Sequence, residues 1–395
     1  MKFSKYTIAK MAGSIVLTMS TVASAGATTS GVFVDDNGCS ANGPGTRNQP
    51  YCTIQQGVDH VESGGTVHVA PGSYNQPVTV SKPVIILGAA FGRGSGMPTD
   101  TALRSVVTDA AVTINSDEVT VEGITFTGNT TGPGLATAGN HSGYHIVNNV
   151  FSDNVFGLYF NSNGAKPSYA KRNVFTANNR EGAANGSGIY SDQNLRDATI
   201  SGNTFSDQSN FSILIAATET TINNNIDVRD NTINHGGGGV LFVRVNNSLI
   251  SHNTIRNLDG NGIMLVRDGA NNSVRDNTVL SSYRGIRIGH GEYGTGVQTK
   301  LLISHNTFND SADDGILITE FAMKEGTIRD NIITRSGADG IELREVYSGN
   351  IIRNNTISSS TVYDAYDFIG VFGPESNIWT NNKCQTSLPS SLCAK

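Results

Sequence analysis

One short phrase recurs along the chain with charged residues at fixed offsets from it. The phrase is Gly, apolar, any residue, apolar, and it reads "GVLF", "GIML", "GIRI", "GILI" and "GIEL" between Gly239 and Leu343. Five residues beyond each Gly stand Arg244, Arg267, His290, Glu320 and Glu345; two residues beyond stand Leu241, Met264, Arg287, Leu317 and Glu342. If successive phrases stack, cations, an imidazole and carboxylates come within reach of one another. Such a set suits chemistry on an acidic sugar. Arg267 or Arg287 would neutralise a uronate carboxylate, His290 would take the acidic C5 proton, and Tyr293 or Tyr283 would return a proton to the leaving oxygen. If two carboxylates act instead, Glu320 and Glu345 would be acid and base of a glycosidase. Arg244, Glu292, Glu342, Glu345 and Tyr283 fall where they would touch bound substrate. The plain alternative is a solvated ladder of ion pairs, worth about 0–1 kcal/mol each.

Loop length points to the same place. From the phrase Gly to the next repeated Asn the interval is usually 14 to 16 residues, but Gly285 to Asn306 takes 21. The surplus is "GEYGTGVQTK", Gly291 to Lys300, directly after His290. A smaller extension follows Ile215. Insertions in stacked repeats often wall a binding face. Asp314 recurs one repeat later as Asp339, with Asp313 beside it, and these carboxylates would suit a Ca²⁺ ion; hydrated polar turns are the competing reading. A further alternation, Arg229-Asp230, Ser251-His252, Arg275-Asp276, Ser304-His305 and Arg329-Asp330, reads as a structural rail of Asp and His pairs across turns.

What must position these groups is a repeat. An Asn recurs at 149, 173, 203, 231, 253, 277, 306, 331, 355 and 382, at intervals of 22 to 30. Three residues before it stand Ile146, Ala170, Ile200, Val228, Ile250, Val274, Ile303, Ile328, Ile352 and Trp379. Two after it stand Phe151, Phe175, Phe205, Ile233, Ile255, Val279, Phe308, Ile333, Ile357 and Cys384. Short alternating strands without a helical period indicate an all-β parallel β-helix, each turn about 4.8 Å above the last. The aligned Asn residues would form an internal ladder capping backbone groups at a bend. The recurrent Gly would serve a bend needing unusual φ/ψ. The many Asn-x-Thr triplets are then by-products of the ladder, not glycosylation sites.

The repeat from Thr120 to Lys383 resembles the right-handed parallel β-helix repeats of the pectin-lyase-like superfamily. The segment "GPGTRNQPYCTIQQGVDHVESGGTVHVAPGSY" is similar to the opening segment common in that group. It implies a short capping helix over Thr53–Glu62 with a Thr cap, then a strand at Thr66–Val69. Residues 26–119 would be the cap and first coils, 120–383 the repeats, and 384–395 a tail. Within this superfamily, Gly289-His290-Gly291 resembles the Gly-His-Gly signature of polygalacturonases, but their paired upstream Asp residues are replaced by Asp259 alone in "NLDGNG". "IRIG" resembles a phrase of the alginate- and chondroitin-lyase family, without its Lys-containing partner motif. The Asp-Pro-His signature of alginate epimerases is absent. The regularity also resembles the β-helix protein associated with copper loading of nitrous oxide reductase, yet Met264 and Met323 are isolated and no Met, His or Cys cluster suits copper.

The start of the chain, with Lys2, Lys5 and Lys10, an apolar run and Ala23-Ser24-Ala25, reads as a signal peptide over 1–25. Export makes two local disulfides the expected use of Cys39 with Cys52 and Cys384 with Cys393. A formal net charge of −6 argues against nucleic acid as partner. No stretch after the leader is long and apolar enough to span a membrane. The reading is therefore a secreted or periplasmic protein acting on an acidic polysaccharide, lyase-like in preference to hydrolase. Its alternatives are a non-catalytic module binding glycan or protein, and a structural or adhesive protein in which Tyr159 and Tyr190 mark an interface. Oligomeric state is open at this stage.

Overall fold

The structure, a computed structural model, describes residues 29–40, 42–92, 100–218, 220–289, 294, 296–344, 346–368 and 377–394. The leader over 1–25 lies outside them, as do His290, Glu292, Tyr293 and Glu345.

A typical turn of the chain lays down three main strands, and four successive turns add a two-residue strand, Val245–Asn246, Gly269–Ala270, Gln298–Thr299 and Met323–Lys324. One turn serves as example: Leu249–Ser251, Thr254–Leu258 and Asn261–Val266. Every one pairs in parallel with its counterpart a turn earlier and a turn later. Ile250 sits between Val228 and Val274, Ile255 between Ile233 and Val279, and Met264 between Leu241 and Arg287. Three stacks result, called a, b and c here in that order. Two 12-residue strands, Thr204–Ile215 and Thr232–Val243, run from b into c without a break.

Alternation sends every second side chain inward, where identical positions stack. The a column carries Ile200, Val228, Ile250, Val274 and Ile303, all buried. In the b column Phe126, Phe151, Phe175 and Phe205 stack face to face with centroids 4.7–5.0 Å apart, the rung spacing itself. A polar ladder lies among these apolar columns. Each repeated Asn donates its backbone N–H, and its Nδ2 in addition, to the Oδ1 of the next Asn, from Asn149 through to Asn382. The same Nδ2 also reaches a carbonyl of the preceding turn, as Asn173 does to Ile146. A second, shorter ladder at the bend between b and c links Asn129, Asn154, Asn178 and Gln208.

The phrase glycines are required for a different reason from the one expected. Gly262, Gly285 and Gly315 do not have left-handed φ. A Cβ on Gly285 would instead lie 2.4 Å from the Gly315 carbonyl oxygen and 2.5 Å from the Phe308 ring. Backbone cannot yield, so Gly285→Ala is expected to lower stability by about 1–3 kcal/mol. Gly132→Ala, whose Cβ would meet open space, should be near neutral, and a urea-melt comparison decides. One set of left-handed positions falls on residues before the ladder Asn: Asn148, Arg172, Asp230, His252, Asp276, His305, Asp330, Asn354 and Asn381, with φ of 54–58°. Asn, Asp and His tolerate that region better than most side chains. They also form the expected rail: Arg275 pairs with Asp276 at 2.7 Å, and His252 Nε2 lies 3.9 Å from Asp276 Oδ2. His305 and Asp330 repeat that spacing.

The N-terminal helix spans Ile54–His60, with Thr53 and Gln56 forming a reciprocal capping box. It is shorter than the expected Thr53–Glu62, because Val61 turns extended and begins the strand Val61–Val69 at once. Ile54 and Val58 enter the main core and close its first turn. Cys39–Cys52 and Cys384–Cys393 are bonded as expected. Among the described residues no helix is long and apolar enough to cross a membrane.

Candidate functional site

The outward side chains of stack c form one continuous column. In order it carries Tyr159, Tyr190, Leu214, Leu241, Met264, Arg287, Leu317, Glu342 and Tyr366. The segment from Leu241 to Glu342 is the second column expected from sequence. Beside it, at the bend that leads into c, runs Asn261, Arg284, Asp314, Asp339 and Tyr363, set by the Asn261–Arg284 register and by backbone bonds that follow each turn.

Carboxylates gather where these columns meet. Asp314, Asp339 and Glu342 are buried, and their nearest ligand atoms all lie within 4.8 Å of one another. Asp314 Oδ1 accepts the backbone N–H of Asp339 at 3.1 Å, and Asp339 Oδ1 accepts that of Tyr363 at 2.8 Å. Asp339 thus keeps one oxygen for another partner, while Asp314 Oδ2 accepts from Arg284 Nε. Glu342 is held by Arg344 through contacts of 2.6–2.8 Å. Arg284 bonds Asp313 and lies 3.4 Å from Asp314 Oδ2, with its guanidinium 4.5 Å from the centre of the exposed Tyr283 ring. Asp313 thereby serves Arg284, and Glu342 completes the group of three.

Four carboxylates, Asp313, Asp314, Asp339 and Glu342, face two guanidiniums, Arg284 and Arg344, leaving two negative charges in a buried place. Desolvation is the largest effect on Asp314 and Asp339, and neighbouring Asp313 and Glu342 add repulsion. Backbone N–H donors, together with Arg284 beside Asp314 and Arg344 beside Asp339, oppose it. The balance pushes both acids up to about 6. Two protons, or one divalent cation, would cancel the excess. An all-oxygen donor set fits a hard cation such as Ca²⁺ better than zinc or copper.

The remaining expected residues divide. Arg244, Arg267 and Glu320 follow their c strands at the turn leaving the stack, each with φ of 58°. Arg244 and Arg267 stand on successive rungs, with the Arg244 N–H donating to the Val266 carbonyl and Arg244 Nε to Thr221 O. The loop after the "GIRI" strand returns against this turn, where Val297 N–H donates to Asp268 Oδ1 at 3.1 Å. Sequence reasoning passed over Arg284, Arg344, Tyr363 and Tyr366. Arg284 occupies the position that is Asp in the next two repeats, a substitution visible on alignment.

Three parallel stacks around one core, with an outward face bearing charge and aromatics, make a parallel β-helix. The chain belongs to the right-handed β-helix family: residues 183–322 and 293–388, together more than half its length, match the family described as right handed beta helix region. Residues 37–249 also match a family described as a protein of unknown function, DUF1565. No curated protein matches the chain. Among solved structures it is similar to a mannuronic acid specific polysaccharide family 6 lyase from human gut microbiota, with TM-score 0.56, 14% identity and 75% of each chain covered. It is also similar to a mutant of the periplasmic alginate epimerase AlgG, with TM-score 0.56, 13% identity, and 81% of this chain and 84% of that one covered. At such identity the likeness is one of fold.

Proposed function

We propose that the protein is an exported enzyme that cleaves an acidic polysaccharide by β-elimination, its substrate lying along the outer face of stack c. The observation that carries this reading is the register of Arg287 on the same outward column as Glu342, beside the Asp314–Asp339–Glu342 group. A uronate loses its C5 proton only when its carboxylate charge is offset, and fixed cations in a partly dehydrated place do this best. Arg287 would bind and neutralise the carboxylate. His290, three residues beyond Arg287 and outside the described residues, would take the proton, with Tyr283 or Tyr293 protonating the leaving oxygen. A Ca²⁺ bound to Asp314, Asp339 and Glu342 would cancel that group's own excess charge and so remove its repulsion of the substrate carboxylate.

Oxygens of Asp314, Asp339 and Glu342 lying within 4.8 Å of one another suit shared protons or a cation. Absence of Asp-Pro-His supports elimination over epimerisation. Disulfides at both ends support export.

The test is incubation of purified protein with polymannuronate, polygalacturonate and chondroitin, with and without chelator. Unsaturated chain ends, seen by ultraviolet absorbance, are expected from at least one substrate. No unsaturated ends and no new reducing ends from any of them would overturn the reading; retention on a polysaccharide gel without turnover would favour a glycan-binding module.

A further inference from the structure

The proposed reaction uses the C-terminal half of the c face. Its N-terminal half holds a second arrangement. Tyr159 and Tyr190, one rung apart, stack with centroids 5.8 Å apart and planes 15° from parallel. Their hydroxyls divide one carboxylate, Tyr159 donating to Asp192 Oδ1 and Tyr190 to Asp192 Oδ2. Phe156 packs edge-on against both rings. Burial first, and Asp192 second, hold both phenols far above the usual range, so they stand as neutral donors. Rings fixed on three sides in this way lose little freedom when something binds.

Tyr190 then packs against an apolar cluster that lies outside the main core and includes Leu214, Leu241, Val243 and Met264. Between Tyr190, Leu214, Val243 and Ala216 lies a cavity of about 310 Å³, and its polar lining comes from Asn210 and Arg267. Apolar floor, aromatic edge, amide and guanidinium together match a sugar ring with one hydrophobic face and a carboxylate. The cavity belongs to the same column as Arg287. From Leu214 to Arg287 is three rung steps and to Glu342 five, hence roughly 14 and 24 Å along the axis.

We infer that this depression is a remote subsite for one hexuronate unit, which makes the protein a reader of long chains and not of short fragments. The inference rests on the polysaccharide reading above and adds where the chain is gripped. A chain that fills both places must span roughly three to five further sugar residues, each advancing about as far as one rung. Trimers reach only one of the two places.

Calorimetry of the full chain with long polymannuronate or polygalacturonate, and with the matching trimers, tests this. A His290→Ala background, which lacks the proposed base and keeps Arg287, suppresses turnover. The expected result is a polymer-over-trimer affinity ratio of at least about tenfold per site. Tyr190→Ala should remove most of that ratio, and so should Ala216→Glu, which adds a repelling carboxylate to the lining without deleting any packing. Tyr190→Phe keeps the ring and should keep the ratio, separating ring contact from damage to the fold. A ratio unchanged in both Tyr190→Ala and Ala216→Glu, or no ratio in their parent, refutes the subsite even if the protein cleaves polysaccharide. Conversely, a ratio that the two substitutions abolish, in a protein that never cleaves, keeps the subsite and refutes the reaction.

Discussion

Replacing Asp339 by Asn should stabilise the protein at pH 8 and leave it nearly unchanged at pH 3. The folded-state value of this acid is raised from 3.8 to about 6, so the fold binds the proton more tightly than the unfolded chain does. Stability from the neutral form is therefore fully present below about pH 4. It is lost as pH climbs through 6, above which the buried charge is a standing penalty. Two units correspond to about 3 kcal/mol, an upper figure for a group that shares its field with Asp314 and Glu342. Asn carries no charge at any pH and keeps an oxygen for the Tyr363 N–H. Urea melts at the two pH values measure the difference. A variant less stable than wild type at both would show that the carboxylate is satisfied where it stands. Calcium adds a second reading of the same charge: it should raise the wild-type midpoint at pH 8, do so weakly at pH 5 where protons compete, and do nothing for Asp339→Asn.

A larger loss is expected at the Asn ladder. Asn277 accepts the backbone N–H and Nδ2 of Asn253, and its own Nδ2 donates to the Ile250 carbonyl and to Asn306 Oδ1. Asn277→Ala leaves the Asn253 N–H and the Ile250 carbonyl buried without these partners. Each such group costs about 1–3 kcal/mol, so a loss on the order of 2–6 kcal/mol is expected. Asn75, exposed and outside the left-handed region, makes the control, and its Ala variant should change stability by less than about 0.5 kcal/mol. Amide hydrogen exchange is the sharper measurement. Because each turn contacts its neighbours chiefly, protection should fall first at Asn253, Asn277 and Asn306 and persist at distant rungs. Uniform loss along the molecule would mean that the ladder is not a local support.

The fold could be read from the chain because stacking turns a periodic pattern into columns. Asn, apolar and Gly positions each mark a rung, and the outward set Leu241, Met264, Arg287, Leu317 and Glu342 followed from counting alone. The role of the phrase glycines did not, since crowding by the next rung leaves no trace that distinguishes it from a left-handed bend. Tyr363 and Tyr366 escaped notice because the last turns slip: Asp364 takes the place that Gly340 holds one rung below, and the phrase disappears. Asp192 is two residues from Tyr190 but joins a ring 33 positions away from it, Tyr159, and no local pattern announces such a bridge. Arg284 and Arg344 were hidden for an electrostatic reason. Which carboxylate a guanidinium serves depends on side-chain reach across rungs, and sequence spacing fixes rungs only.

One comparison bears most directly on the proposal that chemistry occurs on the c face. Arg287 points outward from stack c, while Arg329 lies on stack a, where it pairs with Asp330 at 2.6 Å. On whichever acidic polysaccharide is cleaved, kcat/KM of Arg287→Ala should fall by about 100-fold, the loss typical for removing one group that stabilises developing charge. Arg329→Ala should stay within about twofold of wild type, as expected for an exposed pair. Equal losses in the two variants, or full activity in Arg287→Ala, would place the reaction elsewhere on the molecule.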